Sequence, residues 1–249
     1  MSALPGTQKR GALRIKYRAF RIKLVDTVEK IEEEIGEIAE ALSVEEIANT
    51  ITHGFGLALS VIGFAVLLTL ALMNGDTVYI AASAIYGVSL ILLYAASTFY
   101  HGSRSPRLKN ALHMTDVCGI YLLTAGTYTP FGLVTLRGSS LGWTLFIVVW
   151  TLAISFIILR LFFGGRYSKL WVVSYLLLGW IGLIAIGPLF AITGVPAIAL
   201  IIAGGVAYSL GVIFYAAHRI PHNHAIWHVF VMAGSVLHYL AIILYVRPV

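Results

Sequence analysis

Seven apolar runs, each near the ~20 residues a helix needs to cross hydrocarbon, constrain this chain more than any other feature. They cover roughly 51–73, 77–100, 111–135, 141–163, 170–190, 195–217 and 223–246. Short breaks separate them: Asn74-Gly75-Asp76, Arg104 to Lys109, Arg137-Gly138, Gly164 to Lys169, and Arg219 to Asn223. The break at 190–196, FAITGVP, carries no charge and is the weakest boundary. Pro130 and Pro188 fall within runs and are expected to kink or end their helices, which membrane bundles tolerate. Composition agrees with the runs. Only 11% of the 249 residues are charged and 59% are hydrophobic, whereas a soluble domain carries about a quarter charged. The expected fold is an all-α membrane protein, one bundle of seven transmembrane helices.

Lysine and arginine set the orientation. With the N-terminus in the cytoplasm, fifteen of the seventeen lie inside, and only Arg137 and Arg247 lie outside. The positive-inside rule therefore predicts a cytoplasmic N-terminus and an external C-terminus. The net charge of +6 invites a nucleic-acid reading, but the basic residues mark membrane edges rather than one continuous patch. The single cysteine, Cys118, excludes an intrachain disulfide and a cysteine-based zinc site.

The acids divide the chain into a segment of residues 1–45 and a membrane domain of residues 46–249. Nine of eleven acids precede residue 47, and only Asp76 and Asp116 follow. Residues 1–24 hold seven basic residues and no acid, with no long apolar core behind them, so a signal peptide is not expected. That stretch reads either as a basic amphipathic segment on anionic lipid or as a disordered tail. Val25, Val28, Ile31, Ile35, Ile38 and Leu42 then form an apolar helical stripe, suited to packing on the bundle or on another copy. Ser43-Val44-Glu45-Glu46 reads as a capping box, with Ser43 as N-cap and Glu46 at N3.

Threaded onto that topology, the polar residues gather. His53 enters the first run from the inside, and His101 leaves the second with Ser97 one turn deeper. His113 and then Asp116 enter the third, and His224 and His228 enter the seventh. Five of eight histidines and the only acid within a span thus share one depth. His224 and His228, at i and i+4, share a helix face. His101 brings an imidazole from a second helix and Asp116 a carboxylate from a third. Three imidazoles with a fourth position left open is the pattern of a catalytic zinc site, and zinc lowers the pKa of bound water toward ~7. Asp116 can contact that water, accept its proton, or orient an imidazole.

Plainer readings compete. A histidine at a membrane mouth is more often an interfacial hydrogen-bonder than a ligand. An intramembrane aspartate more often serves ion coupling or helix pairing, and Ser97 can bond the carbonyl one turn back. Asn49 and His53 can brace the bundle by hydrogen bonds. His113 matches the ligands in depth but reads as a neighbour of the site or as loop-facing. His218 and His222 read as solvated. His238, about 15 Å deeper than His228, reads as a buried hydrogen-bonding residue.

Three patterns together resemble the progestin and adipoQ receptor family in its bacterial hemolysin III-like branch. They are Glu46-x-x-Asn49-x-x-x-His53, then Ser97-x-x-x-His101 with Asp116 in the third span, and His224-x-x-x-His228; GIYLLTAGTYTP (119–130) is similar to the family's third helix. The resemblance covers about residues 46–246. It implies a seven-helix bundle with a cytoplasmic N-terminus, inverted relative to G-protein-coupled receptors. It also implies zinc on His101, His224 and His228, with Asp116 contacting the metal-bound water and Ser97 lining the site. Adiponectin receptors of this family are linked to ceramide hydrolysis, and the wider superfamily includes alkaline ceramidases. A protein hormone has little outer-loop surface to bind here.

The function expected is a zinc-dependent intramembrane hydrolase of a lipid amide or ester, with Asp116 moving the proton and Ser97 or zinc stabilising the oxyanion. Its partner would be a membrane lipid and its place a bacterial plasma membrane. The alternatives are a zinc-stabilised sensor or receptor without catalysis, a hemolysin-type pore-former, and a proton-coupled transporter using Asp116 and His238. A pore needs a polar stripe along a whole span, and none is expected from the runs, the outer halves of runs 4 to 6 being almost wholly apolar.

Overall fold

The computed structural model describes residues 5–41 and 44–248, and all the regular structure among them is helical. Helix α1 spans Pro5–Ala41, α2 Val44–Asn74, α3 Thr77–Gly102, α4 Pro106–Pro130 and α5 Ser140–Phe163. Helix α6 spans Ser168–Trp180, α7 Ile186–Ala216 and α8 Asn223–Tyr245. Helices consecutive in sequence pack side by side from α2 to α8, and α8 closes the ring against α2.

Pro130 and Pro188 each interrupt the helical path. Helix α4 ends at Pro130 and passes into a π turn over Phe131–Thr135. Ahead of Pro188 the chain tightens to a 3-10 segment, Ile181–Ala185. A proline ring clashes with the carbonyl four residues earlier, here within that segment, and offers it no N–H.

The weak boundary at 190–196 contains no loop. Helical turns continue through it, so that among the described residues six stretches qualify by length and hydropathy as spans, one of them 48 residues long (Lys169–Ala216). Inside that stretch Gly194 has φ 76° and ψ −178°, a conformation essentially reserved for glycine. There the chain doubles back, because Trp180 Nε1 donates to Ser209 Oγ at 3.1 Å. A straight helix would hold those residues about 43 Å apart. The long stretch is therefore two antiparallel spans, and the bundle has seven.

Helix α1 meets the bundle mainly at α4. Its stripe residues Val25, Val28, Ile31 and Ile35 stay exposed rather than packing on the bundle. Leu42 at the end of the stripe, and the N-cap expected at Ser43, lie outside the described residues.

The two ends of the bundle differ chemically. At one end, Arg137 donates from both Nη atoms to Asp76 at 2.7 and 2.6 Å, tying the α2–α3 turn to the α4–α5 turn. This guanidinium, and secondarily the Tyr79 N–H, hold the Asp76 carboxyl well below the usual carboxylate range. The other end collects the start of α2, the end of α3, and the starts of α4 and α8. It holds nearly all the buried histidine.

Candidate metal centre

Helix α8 starts in a fixed place because Asn223 Nδ2 donates to the Phe214 and Tyr215 carbonyls at 3.1 and 3.2 Å, closing the C-terminus of α7. One turn of α8 then sets His224 and His228 on the face toward α2 and α3. His101 comes from the last turn of α3. One ring nitrogen from each of these three lies within 4.8 Å of the others. A tetrahedral ion with bonds near 2.0 Å spaces its ligand nitrogens about 3.4 Å apart, so a small closure completes the set.

The chemistry of the nitrogens fits a cation. The Nε2 atoms of His101, His224 and His228 are all buried and make no hydrogen bond within the protein. Two of the rings are fixed from behind. His101 Nδ1 lies 2.7 Å from Glu46 Oε2, and a carboxylate can only accept, so Nδ1 carries the proton. His228 Nδ1 lies 3.2 Å from Thr52 Oγ1. The Thr52 hydroxyl proton goes to the Ala48 and Asn49 carbonyls at 2.9 Å, so Thr52 accepts from His228 Nδ1–H. In both rings Nε2 is left with its lone pair aimed inward, the arrangement second partners impose on metal-bound imidazoles. The three-histidine group can hold a metal ion.

Around it, Lys109 Nζ sits 3.0 Å from Glu46 Oε1, so Glu46 links the His101 ring to the first turn of α4. Asn49 Nδ2 approaches His101 Nδ1 at 3.5 Å. His53 braces the site by stacking, not by hydrogen bonding: its ring lies on His228 with centroids 3.5 Å apart and planes 16° apart, and its edge meets Tyr94. Neither of its nitrogens has a hydrogen-bond partner within the protein. Gly56 makes room for this, since a Cβ there would come within 2.5 Å of the Tyr94 ring.

Asp116, on α4, is an electrostatic neighbour of His101 and lies within side-chain hydrogen-bonding reach of Ser97. The Ser97 hydroxyl is buried and does not bond back to its own helix, unlike Ser60, Ser89 and Thr98. His113 is half-buried beside Tyr100 and stands outside the three-histidine group. His218 and His222 are exposed, and His238 Nε2 bonds the Ile201 carbonyl at 3.0 Å. Thr52 and Lys109 are partners that sequence reasoning missed. A threonine inside an apolar run and a lysine at a span end carry no signal until the helices are packed.

From Asp116 and His53 a cavity of about 160 Å³ runs between α4, α6, α7 and α8 past Tyr128 and Trp180. Along α4 it extends from Asp116 to Phe131, about 22 Å of helix rise. Apart from the polar groups at the centre its walls are mainly aliphatic and aromatic.

Residues 42–239 match the Haemolysin-III related family. The chain belongs to that family. It is 44% identical over 204 residues to Hemolysin-3 of Bacillus cereus, covering 82% of this chain and 93% of the relative. It is 42% identical over 201 residues to the Hemolysin-3 homolog of Bacillus subtilis (strain 168), covering 81% and 94%. The human Monocyte to macrophage differentiation factor is 29% identical over 209 residues, 80% of this chain and 83% of that protein. The three polar patterns that suggested the progestin and adipoQ receptor resemblance all fall inside the matched stretch. As a haemolysin-III related protein, the chain is an integral membrane protein of several spans carrying a buried histidine triad.

Proposed function

We propose that this haemolysin-III related protein is a zinc-dependent hydrolase of a membrane lipid amide or ester. The observation that carries the reading is the position of the three inward-facing imidazoles beside Asp116 and Ser97, where a long apolar cavity opens. His101, His224 and His228 would hold the ion; three neutral imidazoles with an open position favour zinc over harder cations. Bound there, zinc supplies a Lewis acid that polarises a carbonyl and acidifies water.

The chain's own residues do the remainder. The cavity wall takes an acyl chain and brings the scissile carbonyl to the polar end. Ser97, with no bond to its own helix, has an O–H beside the Asp116 carboxyl that can turn to donate to the carbonyl oxygen as charge develops there. The Asp116 carboxylate takes a proton from the attacking water and returns it to the leaving nitrogen or oxygen. Glu46 and Thr52 hold two of the ligand rings in one tautomer. The clustering of Arg104, Arg107, Lys109, Arg166 and Lys169 at the same end supports a cytoplasmic N-terminus and a cytoplasm-side centre.

The test is lipid-hydrolysis screening of the zinc-loaded protein in detergent and nanodiscs, beside Asp116→Asn and Ser97→Ala. Turnover is expected from wild type, with loss in Asp116→Asn while zinc stays bound. Zinc binding without turnover on any ceramide, acyl amide or ester would overturn hydrolysis and favour a zinc-stabilised sensor.

A further inference from the structure

A polar stripe, interrupted at Leu90, runs along one span. Along α3, residues 79, 83, 86, 90, 94, 97 and 101 recur at steps of three and four and share one face. They are Tyr79, Ser83, Tyr86, Leu90, Tyr94, Ser97 and His101, every one at most 5% exposed. Only Leu90 lacks a polar group. From Tyr79 to His101 the stripe rises about 33 Å, enough to cross the hydrocarbon.

The stripe faces matching groups on α8, α7 and α2. Tyr94 donates to Ser235 Oγ at 2.9 Å, and the Tyr208 hydroxyl lies 2.8 Å from the same oxygen. Tyr239 donates to the Gly63 carbonyl at 2.9 Å. Tyr86 is an electrostatic neighbour of Tyr94, Tyr208 and Tyr239, and Tyr239 is a neighbour of Tyr79. At the other end Tyr94 meets His53, and His53 stacks on His228. A sequence of polar groups therefore leads from the metal centre to the Asp76 end of the bundle.

Three members of the seam are unpaired within the protein. The oxygens of Tyr79, Ser83 and Tyr86 are buried without any hydrogen bond to another residue, and they fall consecutively on the α3 face. Inside a membrane protein each such hydroxyl is costly if dry, and three together would consume a sizeable part of a bundle's net stability. Water with two to four polar partners is the usual remedy. We propose that the seam between α2, α3, α7 and α8 binds a file of ordered water, joining the histidine centre to the opposite end of the bundle. The unpaired oxygens of Tyr79, Ser83 and Tyr86 do not line the apolar cavity, which meets the seam only at His53 and Tyr208. The inference does not depend on hydrolysis and stands or falls without it.

Radiolytic hydroxyl-radical footprinting of the full chain in nanodiscs tests it, because radicals made from bound water label the side chains that touch that water. Tyr121 is the control: it is equally buried, and its hydroxyl is satisfied by Ser174 at 2.7 Å. Tyr79 and Tyr86 are expected to label several-fold faster than Tyr121; equal or slower labelling overturns the file. Thermal melts of Tyr86→Phe and Tyr79→Phe give an independent reading. A hydroxyl that binds water lowers the melting temperature when removed, whereas a dry orphan leaves it unchanged or raises it, and that second result also contradicts the proposal. Should either variant fail to fold, wild-type footprinting decides alone.

Discussion

Replacing Glu46 by glutamine tests how the metal centre is held together. The Glu46 carboxylate lies 2.7 Å from His101 Nδ1 and 3.0 Å from Lys109 Nζ, so it both orients the ring and makes Nε2 a better donor. Glutamine keeps the shape and an acceptor oxygen but loses the charge. Charge-assisted hydrogen bonds are roughly twice as strong as neutral ones, and removing partners of this kind weakens metal binding about 10–100-fold. Because glutamine retains a neutral bond, the lower bound applies: about tenfold, or about 1.4 kcal/mol. Competition with a zinc-selective chelator, on purified protein at fixed pH, reads this directly. Lys109→Met is the complementary variant. It removes the cation that competes for the same carboxylate, so zinc affinity is expected to hold or rise slightly. Glu46→Gln binding within twofold of wild type, with His101→Ala abolishing binding, would refute the orienting role assigned to Glu46.

Three further outcomes follow from the same geometry. Thr52→Val removes the hydroxyl beside His228 Nδ1–H and leaves it only the Asn49 carbonyl, a cost of about 1 kcal/mol; weaker zinc retention and a lower melting temperature are expected, with rescue by Thr52→Ser. Gly194→Ala forces a side chain into a backbone region that costs about 1–3 kcal/mol, and should lower the melting temperature without altering metal content. The Asp76 carboxyl titrates below its unfolded value near ~3.9, so its contribution is complete above about pH 5 and is lost as pH falls through the lower folded value. Acid melts should therefore show wild type losing its advantage over Asp76→Asn below about pH 4, with the difference between them constant at neutral pH.

Much of this was legible in the chain because the bilayer leaves few choices. Seven apolar runs specify seven spans, and counting Lys and Arg places His53, His101, His224 and His228 at one depth. The i, i+4 spacing of His224 and His228 suffices to aim two rings together. What escaped depends on packing between helices distant in sequence. Thr52 reaches His228 from 176 residues away, and no local pattern marks it. The turn at Gly194 falls inside the 190–196 break, a weak boundary in the sequence because continuous helical turns on either side of a single glycine leave no polar punctuation. The α3 seam is hidden when tyrosine is counted as hydrophobic: Tyr79, Tyr86 and Tyr94 add to the apolar fraction of the chain while placing hydroxyls in the interior. His53 shows the same limit from another side, since an imidazole stacked face to face on its neighbour has no signature in spacing.

Metal analysis of the purified full-length protein, beside His101→Ala, His224→Ala and His228→Ala, tests the central claim most directly. Wild type is predicted to carry stoichiometric zinc that each single substitution removes while the helical fold persists. Wild type that takes up no zinc, or variants that retain it in full, would contradict a centre built from these three imidazoles.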